Sequence, residues 1–228
     1  MDFELSPSER EFRDEVRSWL AANKPRDEAP AGEGQRAFID RRRAWQKKLF
    51  EAGYVGITWP KEYGGRGAGF MEQLIFNDEM ILAKAPDPIN VIGLGMGGPV
   101  VIAHGTEEQK QRYLKPLLSA DEIWCQGFSE PNAGSDLSGL QTRAEDKGDH
   151  YLVNGQKVWT TLAHVARWCM LLTRERKEGN PRDLVNRIYA RQRASVRGGS
   201  RLAKAGACPY VPGFRCGCLC RTGTTGGG

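Results

Sequence analysis

The spacing of the apolar residues changes near residue 120, and this change constrains the fold more than any other feature of the chain. Before it, apolar residues recur at the helical period. After it, short apolar runs are separated by Gly, Asn and Asp, as in strands joined by turns. The chain is therefore predicted to be a multidomain α+β protein, in which an all-α domain precedes antiparallel strands.

Helices are predicted throughout the first part of the chain. A capping box, Ser6-Pro7-Ser8-Glu9, starts the first helix, and a second capped helix begins after Thr106. Further helices are expected over about 37–52 and about 71–84. The residues predicted to face the core of the first two helices are Phe12, Val16, Trp19, Leu20, Phe38, Trp45 and Leu49.

Short strands are predicted after residue 120. They cover 123–128, 139–145, 150–153, 156–160 and 166–173. Two segments between them, 146–149 and 154–155, contain Gly, Asn and Asp, which tolerate a positive φ. Both segments are therefore predicted to be hairpin turns.

A glycine-rich segment, 93–98, matches the GxGxxG pattern of dinucleotide sites. Such a site requires alternating strands and helices, but helices precede this segment and hairpin-linked strands follow it. The alternative interpretation is a glycine-rich helix start that lets neighbouring backbones approach closely.

The segment 126–136 is the strongest candidate for a ligand-binding loop. It begins as a strand, breaks at Pro131 and offers backbone N–H groups and the hydroxyls of Ser129 and Ser135 toward carbonyl or phosphate oxygens. Trp159 and the hydroxyls that follow it could face the same loop. An ordinary turn, and a tryptophan that simply belongs to the core, remain the alternatives.

Other catalytic patterns are poorly supported by the sequence. The three histidines do not show metal-ligand spacing, and Ser138 lacks the glycine that a nucleophile elbow needs. Glu130 and Asp136 are interpreted as structural or solvated carboxylates.

The charge of the chain is unevenly distributed. The total is +5, but residues 174–228 hold ten Arg and two Lys against three acidic residues, so the rest of the chain is mildly acidic. No basic stripe with interleaved aromatic residues is present there, so specific nucleic-acid binding is not expected. Neither a long apolar run nor a secretory leader is recognised, so no membrane span and a cytoplasmic location are expected.

Four motifs carry a resemblance to a known family. They lie at 59–65 (WPKEYGG), 104–110 (HGTEEQK), 129–136 (SEPNAGSD) and 154–161 (NGQKVWTT). In this order and spacing they resemble successive signatures of the acyl-CoA dehydrogenase family. The resemblance covers residues 1–173 and implies a helical N-terminal domain, 1–120, followed by part of a middle β-barrel domain, 121–173. The fold class expected is thus an all-α domain and an incomplete antiparallel β-barrel.

The resemblance also implies an activity. Members of this family bind FAD and oxidise the Cα–Cβ bond of an acyl-CoA to a trans-2-enoyl-CoA. The electrons leave through an electron-transferring flavoprotein or a similar acceptor. The family forms homo-oligomers, but much of the surface used for assembly belongs to a C-terminal helical bundle that is not recognised in this sequence.

By their positions in the motifs, the resemblance implies that six residues of this chain contact the cofactor. Gln126, Phe128 and Ser129 would line the isoalloxazine. Ser135 would lie where FAD and the CoA part of the substrate meet. Trp159 would pack along the ring system, and Thr161 would form a hydrogen bond near the flavin N5.

The last 55 residues depart from the family pattern. Residues 174–228 are rich in Arg, Gly and Cys, and they are expected to be an irregular or disordered tail produced by a frameshift near Arg174. The family's catalytic glutamate would lie in the unrecognised part, so no catalytic residue is assigned and the chain is expected to be a truncated, inactive enzyme.

A second hypothesis gives the tail a function. Cys208, Cys216, Cys218 and Cys220 could form a metal or redox site, although they lack the paired CxxC spacing of structural zinc, so no metal site is assigned. In this hypothesis the chain is a non-catalytic binding or regulatory protein with a basic, thiol-rich tail.

Overall fold

The computed structural model describes the backbone of residues 4–25, 34–146, 150–175, 184–190 and 214–221, and the side chains of 4–25, 34–144 and 153–174. The chain divides into two compact units, Met1–Asp121 and Glu122–Gly228. The first unit is helical and the second is built on a sheet, which confirms the fold class expected from the sequence.

Five α-helices make up most of the first unit. They are α1 (Pro7–Asn23), α2 (Gln35–Glu51), α3 (Phe70–Leu82), α4 (Gly98–His104) and α5 (Glu107–Leu118). A 3-10 turn, Lys61–Tyr63, and a π-helical segment, Gly93–Gly97, lie between them. Among the described helices, none combines the length and the apolarity that crossing a membrane requires.

Local hydrogen bonds start α1 and α5 where the sequence predicts. The Glu9 amide donates to Ser6 Oγ at 3.3 Å, and the Ser6 amide donates to Glu9 Oε2 at 2.7 Å. Thr106 and Gln109 repeat this reciprocal pair at the start of α5. Both capping boxes are therefore confirmed, because they satisfy amides that the first helical turn leaves without partners.

The core of the helical unit follows the predicted stripes, apart from Trp19, which is only half-buried, and a shift of one residue on α2. Phe12, Val16 and Leu20 of α1 are buried. On α2 the buried apolar residue at the start is Ile39, whereas Phe38, which was predicted to face inward, is only half-buried. A shift of one residue rotates a helical position by about 100°, so Phe38 moves to the edge of the stripe.

The glycine-rich segment belongs to the helical unit and makes close contacts. A Cβ at Gly98 would overlap the Trp59 ring, and a Cβ at Gly93 would lie 2.7 Å from Asn90 Oδ1. The interpretation as close packing is thus confirmed, and a dinucleotide site is not formed because the segment runs into α4 without a preceding strand.

Six strands form the sheet of the second unit. They are β1 (Trp124–Gly127), β2 (Arg143–Asp146), β3 (His150–Lys157), β4 (Trp168–Glu175), β5 (Leu184–Ala190) and β6 (Phe214–Arg221). The order is β1-β4-β2-β3-β6, with β5 also paired to β4. The pairs β2–β3, β3–β6 and β4–β5 are antiparallel, but β1–β4 and β2–β4 are parallel, so the expected antiparallel sheet is in fact mixed.

One predicted turn is wrong. The strand β3 runs without interruption through Asn154 and Gly155, which were expected to form a hairpin turn. A Cβ at Gly155 would overlap the Thr142 side chain, so glycine is needed there for close approach and not for a turn conformation. The other predicted turn, 146–149, lies mostly outside the described residues.

Two strands fall in the segment 174–228, where the sequence shows no alternation. Antiparallel partners align with them over their whole length: β5 pairs with β4, and β6 pairs with β3. The remainder of that segment lies outside the described residues. The side chains of the four tail cysteines lie outside them as well, so the metal hypothesis stays a prediction.

Candidate functional site

The ends of β1 and β3 lie side by side and bring the two candidate segments together. Lys157 Nζ donates to the Phe128 carbonyl oxygen at 2.9 Å. The Val158 amide donates to the Ser129 carbonyl oxygen, also at 2.9 Å. Phe128 and Ser129 therefore lie on a segment that runs beside the one carrying Trp159 and Thr161.

A buried ion pair lies beneath this junction. Lys157 Nζ is 2.8 Å from Glu130 Oε1, and the two side chains are only 2% and 8% exposed. Glu130 also accepts hydrogen bonds from the Gln141 amide at 2.6 Å, from the Thr142 amide at 2.9 Å and from the Thr142 hydroxyl. Both carboxylate oxygens of Glu130 are thus engaged with neighbouring groups.

These contacts set the ionisation of the pair. Burial alone would raise the pKa of Glu130, but the hydrogen bonds from Lys157, Thr142 and the two amides outweigh it and hold that pKa below its ordinary value. For Lys157, burial lowers the pKa more than the neighbouring Glu130 carboxylate raises it. The interpretation of Glu130 as a structural carboxylate is confirmed, since its oxygens serve the fold.

The loop after Glu130 is held by its own hydrogen bonds. Glu130 and Ala133 exchange two backbone hydrogen bonds, of 2.7 and 3.2 Å, around Pro131 and Asn132. Further along, Asp136 Oδ1 accepts from the Ser138 amide and hydroxyl, which lowers the pKa of Asp136. Between these two closures, Ser135 is exposed at the surface of the loop.

Trp159 is presented to the surface and does not belong to the core. Its side chain is 63% exposed, and its backbone has φ +59°, a conformation that bulky residues rarely adopt. The alternative that Trp159 is a core residue is therefore wrong. An exposed indole on strained backbone provides a flat apolar surface beside the Ser129 segment.

Two polar atoms at this junction are buried without a hydrogen-bond partner. They are Gln126 Oε1 and the Thr160 hydroxyl, and Thr160 is only 3% exposed. Buried polar groups are normally satisfied, so each of these atoms keeps unused hydrogen-bonding capacity. Together with the Trp159 indole and the Ser129 hydroxyl, they fit a flat heterocycle with polar edges, such as the isoalloxazine of FAD.

The structure places five of the six predicted cofactor residues on the two adjoining segments and leaves Ser135 on the loop surface. Sequence reasoning missed the roles of Lys157 and Thr142, and it singled out Thr160 only as one of two hydroxyls that could face the loop. One signal could have indicated the ion pair. Lys157 lies in a predicted strand, and Glu130 follows an earlier predicted strand.

Comparison with protein families gives two matches along the chain. The model described as "Acyl-CoA dehydrogenase, N-terminal domain" matches residues 6–121, and the one described as "Acyl-CoA dehydrogenase, middle domain" matches residues 125–207. The second match extends past residue 173, where the recognised motifs end. The domain boundaries and the frameshift stay predictions.

Individual relatives and solved structures show the same similarity. The chain is 44% identical over 173 residues to "Acyl-CoA dehydrogenase IpdE1" of Mycobacterium tuberculosis, an alignment that covers 73% of this chain and 45% of that protein. The ChsE4-ChsE5 complex of M. tuberculosis superposes with a TM-score of 0.79 at 30% identity, covering 97% of this chain and 56% of that one. The Tcur3481-Tcur3483 steroid ACAD superposes with a TM-score of 0.76 at 31% identity, covering 96% and 56%.

The chain thus spans about half the length of the curated relatives it matches. Most of the helical unit, the strands β2 to β5 and the junction of β1 with β3 lie within the matched regions, whereas β6 lies beyond them. The chain belongs to the acyl-CoA dehydrogenase family.

Proposed function

We propose that this chain forms the flavin-facing half of an FAD-dependent acyl-CoA dehydrogenase. The observation that carries the proposal is the junction of the Ser129 segment with Trp159–Thr161, which encloses two unsatisfied buried polar atoms beside an exposed indole. When bound, FAD supplies the hydride acceptor for oxidation of an acyl-CoA at Cα–Cβ.

In this proposal each predicted residue has one contact. Gln126 and Ser129 bond polar edges of the isoalloxazine, and Phe128 and Trp159 contact its apolar faces. Thr161 donates a hydrogen bond near N5, where a hydroxyl stabilises negative charge on the reduced ring. Ser135, exposed on the loop, contacts the CoA part of the substrate.

The proposal also holds that the 228-residue chain does not catalyse the reaction unaided. Removal of a proton from the acyl Cα needs a carboxylate or another base that can reach it. The two carboxylates of the loop are engaged: Glu130 is buried with both oxygens bonded, and Asp136 holds the Ser138 amide and hydroxyl. Glu130 therefore cannot serve as the base, and Asp136 is tied to Ser138 through Oδ1, so we propose that the base comes from outside the loop.

The acyl group is proposed to enter the helical unit. A cavity of about 450 Å³ there is lined largely by apolar side chains, among them Trp59, Phe76, Met80 and Leu94. This volume lies within the range of small-molecule sites, roughly 300 to 1,000 Å³. Because a similar structure is described as a steroid ACAD, we propose a ring-bearing acyl-CoA as the substrate.

Flavin titration tests the cofactor part of the proposal. FAD is added to the purified chain and its fluorescence quenching is followed. We expect saturable binding that Trp159→Ala weakens, whereas Phe70→Ala, which removes another exposed aromatic ring, this one from the helical unit, leaves the binding unchanged. Equal affinity in the wild type and Trp159→Ala would contradict the assignment of the indole.

An assay with and without a second polypeptide tests the catalytic part. We expect no dehydrogenation of a ring-bearing acyl-CoA by the chain alone in the presence of an electron-transferring flavoprotein. Activity is expected when the C-terminal half of the IpdE1 relative is co-expressed. Turnover by the chain alone, absent in Thr161→Ala, would show that it contains its own base.

A further inference from the structure

We propose that Lys157 and Glu130 are positioning residues for the flavin, because their buried ion pair turns the Ser129 amide N–H outward, away from the sheet interior. This inference rests on the proposed function and assigns a role to two residues that the resemblance did not include. The pair is not catalytic, since its atoms are bonded to each other and to the protein backbone.

The geometry of one peptide group carries the first step. Lys157 Nζ holds the Phe128 carbonyl at 2.9 Å from within the buried cluster. In a planar trans peptide the carbonyl of one residue and the N–H of the next point in opposite directions. The Ser129 N–H is therefore directed away from Lys157, to the side on which the ligand would approach.

Glu130 fixes the position of the lysine. Its carboxylate is anchored by the Gln141 and Thr142 amides, which belong to the segment leading into β2. Because these donors are backbone groups, the carboxylate is held in place by the chain itself. The ion pair thus joins the end of β1, the approach to β2 and the end of β3 at one point.

Neighbouring small residues make room for this arrangement. A Cβ at Gly127 would lie 3.3 Å from Lys157 Cγ and 2.7 Å from Leu171 Cδ1, so the aliphatic part of the lysine passes close to the β1 backbone. The ammonium reaches Phe128 by this route. The next residue, Val158, donates a hydrogen bond to the Ser129 carbonyl, and this bond holds the Ser129 segment beside Trp159.

The test separates positioning from stability. Lys157→Met removes the bond to Phe128 and leaves Glu130 as an unpaired buried charge, so it is expected to lower both the unfolding midpoint and the FAD affinity. The double variant Glu130→Gln/Lys157→Met removes both charges, and such replacements commonly cost little stability. We expect it to unfold close to the wild type yet to bind FAD roughly tenfold or more weakly, since a bond to a charged donor is lost.

A matched control breaks a different ion pair. Arg17→Met removes the 2.7 Å partner of the buried Glu79 in the helical unit, so it is expected to lower stability without changing FAD affinity. The flavin near-ultraviolet circular dichroism is recorded for each variant, and it should change only where Lys157 is altered.

Two outcomes would overturn the inference, and they are distinguishable. If the wild type binds FAD and the double variant binds it equally well with the same circular dichroism, the positioning role is wrong and the proposed function stands. If the wild type itself fails to bind FAD, the proposed function is wrong and the positioning role falls with it.

Discussion

At the scale of single residues, the buried polar groups of the site fall into two kinds. Some have hydrogen-bond partners within the protein, and others have none. Glu130 and Lys157 are buried and paired, whereas the buried Thr160 hydroxyl and the buried Oε1 of the half-buried Gln126 have no hydrogen-bond partner. The first pair therefore serves the fold, and the other two atoms keep unused hydrogen-bonding capacity. Removing one partner of a buried ion pair typically costs about 3 to 5 kcal/mol, because the other charge remains desolvated.

The ionisation of Glu130 leads to a pH-dependent prediction. Its pKa is lower in the folded chain than in the unfolded one, so its contribution to stability is complete above the unfolded pKa and is lost as the pH falls through the folded pKa. We expect Glu130→Gln to unfold at a lower temperature than the wild type at pH 7, and the two midpoints to converge as the pH falls below about 4.3.

Thermal unfolding of both proteins between pH 7 and pH 3 measures this effect. Asp136→Asn is the control, because Asp136 is exposed on the same loop and its loss should produce a much smaller difference. If the difference in unfolding temperature between the wild type and Glu130→Gln stays constant over the whole pH range, the charge of the carboxylate does not stabilise the fold.

At the scale of elements, close approach decides where glycine is required. The π-helical segment and the start of α4 contain several glycines, but they differ in surroundings. A Cβ at Gly98 would overlap the Trp59 ring, whereas a Cβ at Gly95 would meet nothing within 4 Å. The same sequence pattern thus contains a packing glycine and one that contacts no neighbour.

This difference predicts opposite results for two alanine substitutions. Gly98→Ala should destabilise the helical unit by about 1 to 3 kcal/mol, because the Trp59 ring must move in a closely packed core. Gly95→Ala should be neutral or stabilising by up to about 1 kcal/mol, because alanine favours helical backbone. Denaturant unfolding followed by tryptophan fluorescence measures both changes, and a similar loss in the two variants would contradict the packing argument.

At the scale of the whole molecule, two compact units match two family domains, and the chain spans about half of its relatives. The strand β5 and the middle-domain match both extend past residue 173, so part of the Arg-, Gly- and Cys-rich segment 174–228 falls within the family match. The composition of that segment resembles an out-of-frame translation, which is a property of the encoding DNA.

The frameshift hypothesis makes a prediction that sequencing can check. We expect the DNA downstream of codon 174, translated in another forward frame, to resume alternating strands and then a helical domain containing a glutamate. If no frame does so, residues 174–228 belong to the protein as encoded. The binding-protein hypothesis with its cysteine cluster would then be the one to pursue, by measuring bound zinc and copper.

The sequence by itself determined the local features of this protein. The capping boxes at Ser6 and Thr106, the order of helices before strands, and the two motif segments could be predicted because their signals lie within a few neighbouring residues. All six proposed cofactor residues lie on the segments 126–136 and 154–161, where the sequence predicts a site, and their contacts with FAD stay predictions.

Only the tertiary structure decided how distant segments meet. Lys157 and Glu130 are 27 residues apart, and their contact depends on the parallel pairing of β1 and β2 with β4 and the antiparallel pairing of β2 with β3. Gly155 was predicted to be in a turn because its local sequence favours one, yet pairing over the whole of β3 and the nearby Thr142 side chain kept the strand straight. Such outcomes depend on register and burial, which arise from contacts between segments and leave no periodic signal in either segment alone.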